Sequence, residues 1–241
     1  MTRGHVYWDV NRPSPELAQR LGAHSVATLQ AAAGGDYLVG DGLRRVHERD
    51  RGRSAFGPAV TALAAPSDNL AVHVATATTE PGDVLVVASE GGDSAALWGD
   101  LLTALAIARG LAAVIIDGAI RDVAGIRASQ FPVWYRSVNP RTTAKARLSG
   151  VNIPVVLAGG VVRPGDIVVA DDDGIMSIPP TAAEAVLAEA ERIETHEREL
   201  LEHFREGRTY YDIAGLDEIL GRTGAVSHDS AWGSHGVEGH Q

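Results

Sequence analysis

The stretch GDLLTALAIARGLAAVIIDGAIRDV, residues 99–123, decides the fold. Leu101–Arg109 (LLTALAIAR) reads as a helix stopped by Gly110, a residue suited to the position just past a helix end. Ala113–Ile116 (AVII) reads as a buried strand, and Asp117-Gly118 is expected to turn the chain before Arg121-Asp122. Working outward, Val84–Ala88 (VLVVA) follows the turn Pro81-Gly82-Asp83, and Ile167–Ala170 (IVVA) follows Pro164-Gly165-Asp166. The same device, a tight turn feeding a core strand, is used twice. Ala59–Leu63, Val133–Tyr135, Val155–Leu157 and Ile175–Ile178 read as further strands, the last entered through a hairpin turn at Asp171–Gly174. Leu70–Ala77 is taken as a helix, and residues 15–33 as one or two short helices interrupted at Gly22. Residues 36–57 show no clear period and are taken as loop with one short strand.

Strand–helix–strand alternation predicts an α/β fold, and the clustering of strands in 151–178 predicts mixed rather than purely parallel sheets. The expected organisation is one compact α/β domain over 1–180, a C-terminal helical extension over 181–221, and a poorly ordered Gly-, Ser- and His-rich tail over 222–241. Thr181–Gly207 reads as a long amphipathic helix, with Thr181 and Glu184 as a capping box and Ala182, Val186, Ala190, Ile193 and Leu200/Leu201 on its apolar face.

Composition narrows the function classes. The 241 residues carry a formal charge of −10, which opposes binding to nucleic acid phosphates. There are no cysteines, so disulfides, thiolate metal sites and cysteine nucleophiles are excluded. Met1–Val10 holds no apolar signal core, and Leu111–Ile116 is too short to span a bilayer, so a cytoplasmic protein without membrane partners is expected. Lys145 is the only lysine. Neither Gly91-Gly92 nor Gly159-Gly160 belongs to a nucleotide-binding loop.

Two short segments carry chemistry. In Trp98-Gly99-Asp100-Leu101-Leu102, a helix start preceded by glycine presents backbone N–H groups suited to a carboxylate or phosphate. Asp100 there reads equally as a helix N-cap. In Asp117–Asp122 (DGAIRD), Arg121 offers a planar fork of donors for a carboxylate or enolate, and Asp122 a hard oxygen ligand for Mg²⁺ or Mn²⁺. A loop-bracing ion pair is the alternative. The placement favours a site, since ligands gather at the carboxyl ends of strands in such folds.

Asp100 followed, after twenty intervening residues, by Arg121-Asp122 resembles the signature of the class II pyruvate aldolases acting on 4-hydroxy-4-methyl-2-oxoglutarate and 4-carboxy-4-hydroxy-2-oxoadipate. These share the fold of the regulator of ribonuclease activity A, a compact β/β/α layering with a long C-terminal helix. The resemblance runs from about Asp68 to Gly207 through PSDNLAVHVA, PGDVLVVA, FPVW and VNIPVVLAGGVVRPGDIVVADDDG. Residues 1–60 match loosely and the tail does not match. The resemblance implies Asp122 as metal ligand, Arg121 on the pyruvoyl oxygen, and the amides of Gly99, Asp100, Leu101 and Leu102 on the substrate C1 carboxylate. It implies Asp100 on water at the metal, and Glu197, with Glu199 as alternative, reaching the site from a neighbouring subunit of a homotrimer or homohexamer. Asn69 and Lys145 would lie near the distal carboxylate.

Cleavage beside a pyruvoyl group leaves an enolate, which a lysine imine or a metal Lewis acid can stabilise. Lys145 is the only lysine for the first route and sits in the polar run Arg141–Arg147, so the metal route, with Mg²⁺ or Mn²⁺, is expected. Aldol cleavage releasing pyruvate, with oxaloacetate decarboxylation as side activity, is therefore the leading expectation. Asp100 or Glu197 is expected to relay the C4 hydroxyl proton. A ribonuclease-binding regulator and a lyase for another 2-oxo acid are the competing readings. No histidine is assigned to metal; His73 is read as packing, and the Asp171–Asp173 triplet as a hairpin turn.

Overall fold

A computed structural model describes residues 4–40, 42–47 and 54–228. Along the chain run β1 (His5–Val6), α1 (Pro15–Gly22), α2 (Val26–Ala32), β2 (Leu38–Val39), β3 (Arg44–Arg45), β4 (Ala55–Ala64), α3 (Leu70–Thr78), β5 (Val84–Ser89), β6 (Ala96–Trp98), α4 (Asp100–Ala108), β7 (Ala113–Ile120) and α5 (Val123–Ser129). Then come β8 (Val133–Val138), β9 (Gly150–Val151), β10 (Val155–Leu157), β11 (Gly160–Val162), β12 (Ile167–Ala170), β13 (Ile175–Ile178), α6 (Pro180–Arg205), α7 (Tyr210–Ile213) and α8 (Leu216–Arg222). The chain divides into two units, residues 1–193 and 194–241.

In the first unit β4, β5, β7 and β8 lie side by side and parallel, and α3, α4 and α5 fall in the connections between them. Antiparallel β12, β13 and β2 extend one side and antiparallel β3 closes the other, so the sheet is mixed, as the sequence predicted. Successive strand residues point to opposite faces. Val60, Leu85, Val87, Val114 and Ile116 meet the helices on one face, around Val72, Leu102 and Ile126. Ala59, Val84, Val86, Ala113 and Ile115 meet Val155, Leu157 and Val162 of the β10–β11 hairpin on the other. Burial on both faces is why β5 and β7 read as unbroken apolar runs. A third cluster seats Ala183, Val186, Leu187 and Ala190 of α6 on Ile167, Val169, Met176 and Ile178, with Leu21 and Leu29.

The repeated turn is real in atomic detail. Gly82 and Gly165 take positive φ values of 92° and 85°, which only glycine adopts without strain. In each copy the aspartate that follows accepts from a backbone N–H three residues back: Glu80 N–H to Asp83 (2.7 Å) and Arg163 N–H to Asp166 (2.9 Å). Asp83 is further paired with Arg12, and Asp166 accepts from the Ser177 hydroxyl.

Several expectations change. The chain does not turn at Asp117-Gly118; β7 continues to Ile120, because the Asp117 carboxylate is answered by the Arg136 guanidinium and the Ala158 N–H. Residues 36–57 hold two short strands, β2 and β3, and the start of β4, while residues 41 and 48–53 lie outside the described ones. Helix α6 begins at Pro180, so Thr181 is inside it rather than capping it, and Glu184 pairs with Arg20 at 3.6 Å. Its buried stripe is Ala183, Val186, Leu187 and Ala190, turned slightly from the expected one.

The second unit holds the end of α6 with α7 and α8. Thr209 and Asp212 form a capping box that starts α7. Leu201, Phe204, Tyr210, Tyr211, Ile219 and Leu220 are exposed on it. Glu197, Glu199 and His196 are exposed on α6. The tail expected over 222–241 lies, from residue 229 onward, outside the described residues.

Candidate active site

Strands β6 and β7 are parallel neighbours that end side by side, with Trp98 opposite Ile120 and the Arg121 N–H donating to the Trp98 carbonyl (3.0 Å). Each then starts a helix within a residue or two, α4 at Asp100 and α5 at Val123. Two helix starts therefore converge on one point at the carboxyl ends of the strands. The first turn of a helix leaves backbone N–H groups without intrahelical partners, and its dipole favours anions.

The α4 start is braced by side-chain hydrogen bonds. The Trp98 indole N–H donates to Thr103 Oγ1 (2.8 Å), and that hydroxyl donates to the Gly99 carbonyl (3.0 Å). Gly99, not Asp100, is the N-cap residue, so Asp100 is in the first helical turn, where its Oδ1 accepts only from the adjacent Leu101 N–H (2.7 Å). A Cβ on Gly99 would come within 2.7 Å of Asp122 Oδ2. Glycine is required there for close approach.

Asp122 caps α5 with φ 55° and ψ 36°, in the left-handed region that costs a non-glycine residue conformational energy. Arg121 Nε lies 3.3 Å from Asp122 Oδ2, so the ion pair read as an alternative is present. Both side chains remain partly exposed, at 39% and 40%. Asp122 thus keeps an open carboxylate on the cavity, a hard oxygen donor of the kind Mg²⁺ or Mn²⁺ takes while retaining several waters. Among the described residues no group of three or more His, Asp or Glu side chains gathers for a metal.

The cavity here measures about 180 Å³. Gly99, Asp100, Leu101, Leu102, Arg121 and Asp122 line one side; Asn69, Lys145 and, unanticipated, His73, Thr142 and Thr143 line the other. All eight predicted substrate- and metal-site residues of the first unit are on its wall. His73 was readable from its spacing, since it follows Asn69 by one helical turn on α3. Larger cavities of about 490 and 650 Å³ lie elsewhere in the first unit. In these Arg45 pairs with Asp172 and Arg12 with Asp83, and neither cavity holds the start of a helix beside Arg121 and Asp122.

The far wall is held by buried Asp68. Its Oδ1 accepts from Leu70 N–H (2.9 Å), and its Oδ2 from Ala146 N–H (2.7 Å) and Arg147 N–H (3.0 Å). Asp68 and Ala144 pair as a parallel bridge, which ties the Lys145 segment to the start of α3. Burial raises the Asp68 carboxyl, but the three amides and Arg147 outweigh it and hold the group below the usual carboxylate range. Asn69 is buried, with Nδ2 donating to the Leu97 carbonyl (3.3 Å). The His73 imidazole is held below its ordinary range by burial first and by the Lys145 charge second.

The sequence matches the RraA-like family, described as Aldolase/RraA, over residues 27–177. The chain belongs to that family. It is 35% identical over 150 residues to a protein of Halalkalibacterium halodurans provisionally assigned as a 4-hydroxy-4-methyl-2-oxoglutarate aldolase, a match covering 62% of this chain and 70% of the other. The family fold is equally plain in the crystal structure of Streptomyces coelicolor RraAS2, described as an unusual member of the RNase ES inhibitor RraA protein family. That likeness has a TM-score of 0.69 and 30% identity, over 83% of this chain and 100% of the other. An uncharacterized Pseudomonas syringae pv. tomato protein gives a TM-score of 0.72 and 25% identity, over 83% and 93% of the two chains. The resemblance read from Asp100, Arg121 and Asp122 therefore leads to the right family and fold.

Proposed function

We propose that the chain is a divalent-metal-dependent carbon–carbon lyase that cleaves a 4-hydroxy-2-oxo dicarboxylic or tricarboxylic acid and releases pyruvate. The observation that carries this reading is the meeting of Arg121, Asp122 and the α4 start in one cavity, opposite Lys145. The substrate C1 carboxylate lies against the amides of the α4 first turn, where unpaired N–H groups and the helix dipole favour it. The guanidinium of Arg121 faces the 2-oxo oxygen and balances the charge that grows there, the preorganised electrostatic contribution that dominates many enzymes. A metal at Asp122 would supply Lewis-acid polarisation of that oxygen. Asp100, or Glu197 from a neighbouring subunit, takes the C4 hydroxyl proton. The C3–C4 bond then breaks, C4 becomes a carbonyl, and the electron pair passes to the pyruvate enolate, which is protonated at C3. Loss of CO₂ from oxaloacetate gives the same enolate, so oxaloacetate decarboxylation accompanies the aldol reaction. Lys145 is exposed, without the burial that usually activates an imine-forming lysine.

The protein is read as a homo-oligomer, trimer or hexamer, with the part of the 181–221 extension beyond residue 193 packed on a neighbouring subunit, since Ala183–Ala190 of α6 seat in the chain's own core. Exposed Leu101 and Leu105 on α4 and the exposed apolar side chains of the second unit support this, since such groups mark contact surfaces. No helix among the described residues is long and apolar enough to cross a membrane.

Pyruvate release from 4-hydroxy-4-methyl-2-oxoglutarate and from oxaloacetate, followed with and without EDTA and after restoring Mg²⁺ or Mn²⁺, tests the reading. Activity that EDTA abolishes and metal restores is expected. Activity indifferent to EDTA would move the chemistry to Lys145. The likeness to RraAS2 favours a second reading, a ribonuclease inhibitor. Absence of pyruvate together with inhibition of a ribonuclease would establish that reading instead.

A further inference from the structure

The far wall of the cavity has one strong cation, Lys145, and two other nitrogen-bearing side chains, Asn69 and His73. Asn69 has little to offer a ligand. It is only 6% exposed, one of the two N–H groups of its Nδ2 donates to the Leu97 carbonyl, and its Oδ1 is sealed with no hydrogen-bond partner among the described residues. The neighbouring carbonyl settles that nitrogen, not oxygen, points at Leu97.

One helical turn along α3 the position differs. His73 lines the same cavity, is only half-buried, and has no hydrogen bond from its ring to any described residue that would use up its nitrogens. Of the charged groups among the described residues only Lys145 acts on the ring, and that interaction is repulsive. The two carboxylates that line the cavity, Asp100 and Asp122, come from α4 and the end of β7, and neither acts on the ring. The Lys145 charge disfavours a second cation on the His73 ring, and an anion placed between the two nitrogen groups removes that repulsion.

We propose that His73 is a substrate-binding residue that, with Lys145, grips the distal carboxylate of the substrate, in the place the resemblance gives to Asn69. This rests on the lyase reading and adds its specificity determinant. The ligand class is a five-carbon or longer 2-oxo diacid, whose second carboxylate lies beyond C4. Oxaloacetate is too short to reach it.

The test compares wild type, His73→Ala and His73→Gln, the last keeping a donor of similar reach. Binding of 2-oxoglutarate and of pyruvate is measured by calorimetry with Mg²⁺ present, beside steady-state cleavage of 4-hydroxy-4-methyl-2-oxoglutarate and decarboxylation of oxaloacetate. His73→Ala is expected to weaken 2-oxoglutarate about 10-fold or more and to raise KM for the hydroxy diacid alike, the loss of one charge-assisted hydrogen bond. Pyruvate binding and oxaloacetate turnover stay within about twofold, and His73→Gln recovers part of the diacid affinity. Equal losses for the short and long ligands, or no loss for either, would overturn the proposal while leaving the lyase reading intact. A wild-type protein that binds neither ligand and releases no pyruvate would overturn both.

Discussion

Gly99 and Asp122 are 23 residues apart in sequence yet adjacent in space: a methyl group on the glycine would sit 2.7 Å from the carboxylate Oδ2. The Gly99 backbone is extended, with φ −160°, so alanine fits it without strain. Gly99→Ala is therefore expected to fold normally and to push the Asp122 carboxylate aside. A displacement of this size costs about 10- to 100-fold in turnover. Pyruvate release and Mn²⁺ affinity are the measurements, with the melting temperature as control. Unaltered metal affinity and turnover would separate Asp122 from the chemistry.

Arg121→Lys retains the positive charge and discards the planar fork. If the fork faces the developing enolate, turnover falls about 10²- to 10³-fold with a much smaller change in KM. Asp122→Asn is expected to lose metal-stimulated activity altogether at metal concentrations that saturate the wild type. A KM effect alone in Arg121→Lys would assign the arginine to ground-state binding.

Glu197 belongs to the second unit, so its role has to be tested between chains. Glu197→Gln and Asp122→Asn are each expected to be nearly inactive alone. Mixed and allowed to exchange subunits, they would form some sites with an intact Asp122 and an intact partner Glu197, and activity would return. Mixing that restores nothing would confine the site to one chain, or pass the role to Glu199.

Asp68 links the site to stability. Its folded carboxyl is held below the usual range, so the unfolded state binds the proton more readily. The stabilisation is present above the unfolded value near pH 4 and is lost as pH falls through the lower folded value. Asp68→Asn replaces an acceptor facing two amides by a donor, and is expected to cost about 1–3 kcal/mol at neutral pH. The gap between mutant and wild type narrows in acid, as read by urea denaturation at pH 7 and pH 3.

The β5–α4–β7 core was legible because buried parallel strands keep no polar face and helix ends are punctuated by residues such as Gly110. Other parts were not. The extension of β7 past Asp117-Gly118 depends on Arg136 and Ala158, partners 19 and 41 residues away. Two-residue strands such as β2 and β3 have no period to detect. Helix α5 buries only Ile126. At the site, the Asp100–Arg121–Asp122 spacing pointed to the cavity, while the approach of Gly99 to Asp122 follows from two strands ending together, which local sequence does not record. Asn69 was placed by resemblance, and its commitment to Leu97 emerges only from the packing of α3 against β6.

The tether at Asp68 makes the second wall a unit of its own. The wall that would break the bond hangs from β6 and β7, while the wall that would choose the substrate is α3 and residues 142–147 clamped together. Changes at exposed positions of the clamp such as Lys145 can accumulate without disturbing β6, to which the clamp is fastened through Asn69 at Leu97. A lineage carrying this scaffold is thus free to inherit one chemistry and explore new acids, or to let the clamp serve another purpose after the chemistry has gone.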